Sequence, residues 1–413
     1  MQGAKKMKIA MMVRGYLPVP RPADIIYAPI DLAVTIAEGL VAKGHQVDFF
    51  APTGSRLLGV GVESLNLRPL ITDEPSFRQL VNDPGIKGHA QPELWDLQMS
   101  REMFQRAADG QYDLLHFHHS EVAQPYARDN LKTPVVYTVH DPLSPWLREL
   151  YELHLSPNQH LVSISNNQRR DAPDLPYAKT VYNGVDLDLF PYSGEAEDYL
   201  LIAGRITPEK GFKEAIELAQ ATGDRLLIIG PVYPDQQGYF DQYIKPFLDE
   251  KILYLGAMEQ TQLVKYYQKA KAFVTPIQWE EPFGLTTIEA MACGTPVITL
   301  RRGAAPEIIK NGKTGYIVSG LHEMADAVRK IGKINRADCR LHVEQHFSNQ
   351  RMIDEYEAVF QKLISQNKLG RLQRKAAGTA RKAVVKPARK VETSVKKALS
   401  GPRPAPKKTK KRK

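Results

Sequence analysis

Two cysteines in 413 residues, Cys293 and Cys339, are too few for a disulfide framework, and neither has a second thiol or a metal-ligand spacing nearby. A reducing compartment is the expectation. No stretch approaches the roughly 20 apolar residues of a membrane-spanning helix. The apolar run 9–13, behind Lys5, Lys6 and Lys8, is far shorter than a signal-peptide core and reads as a first strand. The chain is therefore expected to be cytoplasmic, or peripheral at the inner face of the membrane. Acids are nearly missing from one segment only. Residues 368–413 hold 18 Lys or Arg against Glu392, and subtracting that +17 from the net +10 leaves 1–367 at about −7. Any attraction to a polyanion belongs to that stretch, not to the body.

What is present is a long alternation of short apolar runs with helical patterns. At this length two domains of roughly 150 to 200 residues are expected, and 43% hydrophobic content suits globular packing. Strands are predicted at 8–13, 47–52, 114–119, 135–140, 161–165 and 180–183, then at 199–203, 226–230, 252–255, 272–275, 296–300 and 316–318. Between the first two, residues 32–43 place apolar side chains on one helical face, and Gly44 stops the helix. The fold class is thus α/β, two Rossmann-like parallel-sheet domains. The first domain is expected over 1–192 and the second over 193–345. An amphipathic helix follows within 346–366, with Met352, Tyr356, Val359, Phe360 and Leu363 on one side. Residues 367–413, rich in Lys, Arg, Ala and Pro, are expected to be a disordered basic tail. Ligands of such sheets bind beyond the carboxyl ends of the strands, so a cleft between the domains is the default site.

Three strand-end segments of the second domain carry chemistry. In 280–290, Glu280-Glu281-Pro282-Phe283-Gly284-Leu285-Thr286-Thr287-Ile288-Glu289-Ala290, loop residues lead into a helix starting near Leu285. Free N–H groups and the positive helix end there suit a diphosphate or a sugar hydroxyl. Glu281 in the loop and Glu289 a turn or so into the helix are acceptor-only groups at two depths, able to grip vicinal hydroxyls of a sugar and of a ribose. The same spacing is also met by an exposed loop Glu and a Glu favoured by the helix dipole. In 203–211, Arg205 and Lys210 can swing toward one anion and stabilise a diphosphate leaving group without a metal; a solvated turn with Glu209 as partner fits the residues equally. Residues 302–307, Arg302 to Glu307, can bring more N–H groups to the cleft mouth.

In this order the segments resemble the family 4 glycosyltransferases, retaining enzymes of the GT-B architecture, over roughly residues 7–366. The matching pieces are Glu-x7-Glu at 281–289, Gly-Arg-x4-Lys-Gly at 204–211, Asn183-Gly184-Val185-Asp186, and the end of the opening helix from Glu38 to His45. The resemblance implies a two-domain GT-B fold with the acceptor side first, the donor side second, and the last helix crossing back to the first domain. It implies diphosphate contacts from Gly204, Arg205 and Lys210, and a ribose contact from Glu289. Glu281, Phe283, Gly284 and Leu285 would hold the donor sugar, and His140 would stand beside the reacting centre. The implied reaction moves a hexose from a nucleotide-diphosphate sugar, UDP ahead of GDP, to an acceptor hydroxyl. It is metal-independent and on one face of the sugar, with the departing phosphate helping to deprotonate the acceptor. No cofactor is implied beyond that donor substrate.

Other signals are weaker. Asp186-Leu187-Asp188 resembles a metal-binding Asp-x-Asp but follows Asn183-Gly184 at a domain end, so no metal is expected there. Gly312-Lys313-Thr314 lacks the first glycine of a P-loop, because Glu307 stands at that position. His116 and His118 share a strand face with no carboxylate or thiol partner evident, which favours cleft-lining or buried histidines over a metal site. Where the family commonly has a glycine pair, this chain has Ala28-Pro29, adding a Cβ and removing an N–H. The acceptor, a sugar, lipid or small molecule, is expected near Tyr16, Tyr27, His118 and residues 70–100. Two competing readings remain. One is a UDP-sugar epimerase, which the Glu-x7-Glu spacing argues against. The other is a degenerate transferase body acting as a binding protein, whose residues 368–413 engage nucleic acid or an anionic membrane.

Overall fold

The computed structural model describes residues 6–23, 25–82, 90–119, 121, 123–128, 130, 132–370 and 372. The described residues up to Lys362 form one compact unit, and the few described from Leu363 onward fall in a second. The first unit holds two parallel sheets. One has β1 (Lys8–Met12), β2 (Gln46–Phe50), β3 (Gly61–Glu63), β4 (Leu114–Phe117), β5 (Val135–Val139), β6 (Gln159–Ser163) and β7 (Tyr177–Thr180), in the spatial order 3-2-1-4-5-6-7. The other has β8 (Tyr199–Ala203), β9 (Arg225–Ile229), β10 (Ile252–Tyr254), β11 (Ala272–Thr275), β12 (Val297–Leu300) and β13 (Gly315–Val318), in the order 10-9-8-11-12-13. Every pairing in both is parallel. The central strands β4, β5, β8, β11 and β12 are buried at every residue. That is why they appear in the sequence as unbroken apolar runs: helices cover both faces of a parallel sheet.

The sheet order puts a switch point in each domain, β1/β4 in the first and β8/β11 in the second, so strand ends diverge there and leave a crevice. The expected strands fall on these elements with two differences. β3, only Gly-Val-Glu, is an edge strand with no apolar run to announce it. The last strand of the first sheet lies at Tyr177–Thr180 instead of 180–183. Its register against β6 shifts between Leu161 and Val162; Val181 N–H still donates to Ser163 O (2.9 Å), and the chain reaches the cavity wall from Asn183 onward.

The opening helix starts at Ala28, earlier than the apolar periodicity indicates, because Pro29 has a helical φ and needs no N–H in the first turn. It ends before Gly44, which sits at φ +89° with its N–H on Val41 O (2.8 Å). The chain passes between the two sheets twice, side by side. Val185 N–H donates to Phe347 O (2.8 Å) and Asn349 N–H to Val185 O (3.1 Å). Gly184 is required at this crossing, since a Cβ on it would lie 2.7 Å from Asn349 Cα. From residue 349 a helix returns to the first sheet. There Glu357 meets His45 Nε2 (3.0 Å) and Lys43, and Tyr356 OH meets Thr138 Oγ1 (2.9 Å). Residues 363–370 are helical as well. Apart from 367–370 and Leu372, the stretch expected to be a disordered tail lies outside the described residues.

One close approach shapes the crevice. Gly230, just after β9, has φ +153°, and a Cβ there would fall 1.7 Å from Gly204 O. Gly230→Ala should therefore force apart the ends of β8 and β9. We expect a loss of about 2 kcal/mol or more in urea unfolding, with m unchanged.

Candidate functional site

A cavity of about 660 Å³ opens at the carboxyl ends of both sheets. Its walls include Tyr27 to Pro29, His140 and Asn183 to Asp186 from the first sheet's side. The second sheet's side contributes Gly204, Arg205, Lys210, Glu281 to Thr287, Glu289 and Arg302. Of the residues expected from the sequence, Gly204, Arg205, Lys210, His140, Glu281, Phe283, Gly284, Leu285, Glu289 and Tyr27 line it, whereas Tyr16, His118 and residues 70–100 do not.

Glu281 is held from two sides. Lys210 Nζ donates to its Oε2 at 2.6 Å and Trp279 Nε1 donates to the same oxygen at 2.8 Å. The Lys210 ammonium also lies 5.5 Å from the centre of the Trp279 ring. Lys210 ends the short turn Pro208–Lys210 and is followed by Gly211 at φ +80°, where a Cβ would strike Pro276 O at 2.0 Å. The turn is thereby pressed onto the strand-end loop that carries Trp279 and Glu281. Arg205 is exposed and makes no hydrogen bond or ion pair among the described residues. Of these two cations, Lys210 is engaged with Glu281 and Arg205 has no such partner among the described residues.

Glu289 is 8% exposed. Gln260 Nε2 donates to Oε1 (3.0 Å) and Tyr267 OH to Oε2 (3.1 Å). Burial raises its pKa above the ordinary value despite those two hydrogen bonds, and the charge of Asp31 on the facing wall adds to the rise. The helix Leu285–Ala292 begins after Gly284 at φ +100° with no side-chain cap, so the N–H groups of its first turn are directed at the cavity mouth.

The segment 302–307 serves a different end from the one its residue types suggest. Gly303 N–H is taken by Glu280 Oε2 (2.9 Å) and Ala304 N–H by Glu281 O (3.0 Å). Glu307 turns to the first domain, accepting the backbone N–H groups of Asn166 and Asn167 (2.7 Å each) and Tyr182 OH (2.9 Å). These donors are spent on fixing loops and are not offered to a ligand; only Arg302 and Ala305 of this segment's first residues reach the cavity wall.

His140 follows β5. Its Nε2 lies 2.8 Å from His118 Nδ1, with the rings 15° from parallel. Burial pushes the His140 pKa down to about 3, with His119 and His116 adding to the effect, so the ring is neutral near pH 7. His116 lies against His118 (centroids 4.3 Å apart) and bonds Thr138 Oγ1 at 2.8 Å. His119 contacts the Tyr27 hydroxyl and lies 3.3 Å from Glu121. The three histidines therefore point into the first domain's polar interior and the back of the cleft. Asp186 Oδ1 accepts the N–H groups of Asp188 (2.9 Å) and Leu189 (3.2 Å), so this carboxylate closes a turn. At the Ala28-Pro29 wall, Arg21 Nε bonds both oxygens of Asp31 (3.1 and 2.9 Å).

Sequence reading missed Gln260, Tyr267, Trp279, Arg21 and the turn 166–168. Gln260 and Tyr267 stand seven apart, on one face of the helix Gln260–Lys269. That periodicity marks a shared face but not the buried carboxylate it meets.

Two parallel-sheet domains meeting at a cavity of carboxylates and cations define the GT-B class of α/β proteins. Comparisons with known proteins agree. Residues 192–344 match the family described as Glycosyl transferases group 1, and residues 32–189 match Glycosyltransferase Family 4. The chain belongs to the family 4 glycosyltransferases. It is 33% identical over 161 residues to a probable sucrose-phosphate synthase of Thermosipho melanesiensis, covering 36% of this chain and 38% of that one. The chain spans less than two thirds of the length of the curated relatives it matches first. Among solved structures, sucrose-phosphate synthase of Thermosynechococcus elongatus superposes with a TM-score of 0.65 at 17% identity, over 91% of this chain and all of that one. Anabaena HepE, solved with UDP and glucose, gives 0.62 at 18% identity, over 86% of this chain and all of that one.

Glu289 carries a testable electrostatic signature. Its folded-state pKa is raised above the unfolded value, so its contribution favours folding at low pH and is lost as pH rises through the folded value. Glu289→Gln does not titrate. Its urea midpoint relative to wild type should therefore climb as pH rises above the ordinary carboxylate value of 4.5.

Proposed function

We propose that the protein transfers a hexose from a nucleotide-diphosphate sugar, UDP in preference to GDP, to an acceptor hydroxyl with retention at the anomeric carbon. The observation that carries this reading is the pairing of a buried, doubly hydrogen-bonded carboxylate, Glu289, with the cations Arg205 and Lys210 across one cavity. Glu289 keeps lone pairs for a ribose diol at the depth where a nucleoside would lie, and Arg205 is free to take the diphosphate. Lys210 has three N–H donors and spends one on Glu281, so it can neutralise a phosphate oxygen while still orienting that carboxylate toward the sugar. Phe283, Gly284 and Leu285 complete the sugar pocket at the uncapped helix start. The UDP preference is supported by the fold neighbour HepE, which was solved with UDP and glucose.

In the reaction the bond from the anomeric carbon to the β-phosphate oxygen breaks, and the acceptor oxygen bonds to the same face of that carbon. The acceptor proton passes to the departing phosphate. Arg205 and Lys210 stabilise the negative charge that develops there. His140, neutral and fixed through Nε2, offers a polar edge beside the reacting centre and no charge. No step calls on a metal ion. The acceptor side is the wall around Tyr27, Ala28 and Pro29, where a Cβ and a missing N–H replace donors to the phosphate. Arg21, paired with Asp31, is the one cation on that wall.

No helix among the described residues is long and apolar enough to cross a membrane. We place the protein in the cytoplasm or at the inner membrane face. Binding of anionic membrane or nucleic acid would rest on residues 368–413, of which all but 368–370 and 372 lie outside the described residues.

Incubation with UDP-glucose or GDP-mannose and an acceptor extract tests this reading. Release of UDP with an α-linked product is expected, and Arg205→Ala should lower kcat roughly 100- to 1,000-fold. Formation of an epimer without glycosylated product, or of a β-linked product, would overturn the transferase or the retention respectively.

A further inference from the structure

The donor-side domain reaches His140 through one turn of the other domain. Glu307 holds the backbone N–H groups of Asn166 and Asn167. Glu280, the neighbour of Glu281, accepts from Asn167 Nδ2 (3.3 Å) and lies 3.5 Å from Arg170. The next residue in the turn, Gln168, is 5% exposed. Its Nε2 donates to Val139 O and to Asp141 O, both at 2.9 Å, and its Oε1 accepts Ile164 N–H at 3.0 Å.

Val139 and Asp141 are the residues on either side of His140. The strand ends at Val139, whose buried carbonyl needs a donor, and the part-buried carbonyl of Asp141 lies beyond the strand. An amide nitrogen with two hydrogens reaches both at once, and no other uncharged side-chain group except that of Asn, one methylene shorter, has this geometry. A Gln168 so engaged has no hydrogen left for a ligand. We propose that Gln168 is a positioning residue for His140, and that Glu307, with Glu280, sets Gln168 from the donor-side domain. The imidazole is then aligned at the cavity only while the two domains are engaged. The role of His140 in transfer rests on the function proposed above; the mechanical link from Glu307 to His140 does not.

The test uses the full chain with labelled histidine, His140→Gln identifying the His140 ring signals among the eleven histidines. Glu307→Ala and Gln168→Leu should each shift those signals. In turnover of UDP-glucose each should lower kcat roughly ten- to a hundredfold, while UDP affinity by calorimetry changes less than about threefold. The double variant should lose no more than the worse single one, since the two act in one chain of contacts. Unchanged His140 signals in Glu307→Ala, or losses that multiply in the double variant, overturn the proposal. If Gln168→Leu does not fold, Glu307→Ala decides alone, because Glu307 is only half-buried. If no nucleotide sugar is turned over, the transferase reading fails, and the ring signals still decide the coupling.

Discussion

A carboxylate at a crowded cleft recruits donors, and four glutamates of the second domain, from the buried Glu289 to the exposed Glu280, do so within one small region. Glu281 takes Lys210 and Trp279, and Glu289 takes Gln260 and Tyr267. Glu280 takes Gly303 and Asn167, and Glu307 takes two backbone N–H groups and Tyr182. Each solution draws a different element toward the cleft: a strand-end turn, a helix face, the loop after β12, and a turn of the other domain. The cavity has its form because these requirements are met together.

The two walls differ in electrostatic character. The wall from the second sheet's side carries Lys210 paired with Glu281, together with Arg205 and Arg302. The facing wall presents the neutral ring of His140, and behind it buried histidines stack, with burial keeping His116 and His118 uncharged as well. That wall also carries Asp141 and Asp186 and, paired with each other, Arg21 and Asp31. Their mutual pairing cancels most of the field that either would place across the cleft.

Much of this was legible in the residue order. Interior strands such as β5 and β8 are apolar throughout and bounded by turns, so their existence follows from burial on both faces. Arg205, Lys210, Glu281 and Glu289 stand at strand ends in a spacing that the family resemblance makes specific, and all four line the cavity. What escaped has a common cause. β3 is too short and too polar to show a period. Trp279, Gln260 and Tyr267 matter through partners 2 to 29 residues away, and nothing local in a sequence records such a pairing. The segment 302–307 has residue types that suit a ligand, yet its amides are consumed by Glu280 and Glu281.

The sequence by itself determined the α/β alternation, the two parallel-sheet domains and the presence of charged strand-end segments in the second, because periodicity and strand-end chemistry are local properties of a chain. Only the tertiary structure decided which partner each charged group meets. Lys210 lies on Glu281 instead of standing free, Glu307 holds the other domain, and His140 is turned onto His118. Those outcomes depend on desolvation and distance, which arise only when residues far apart in the chain are packed against one another.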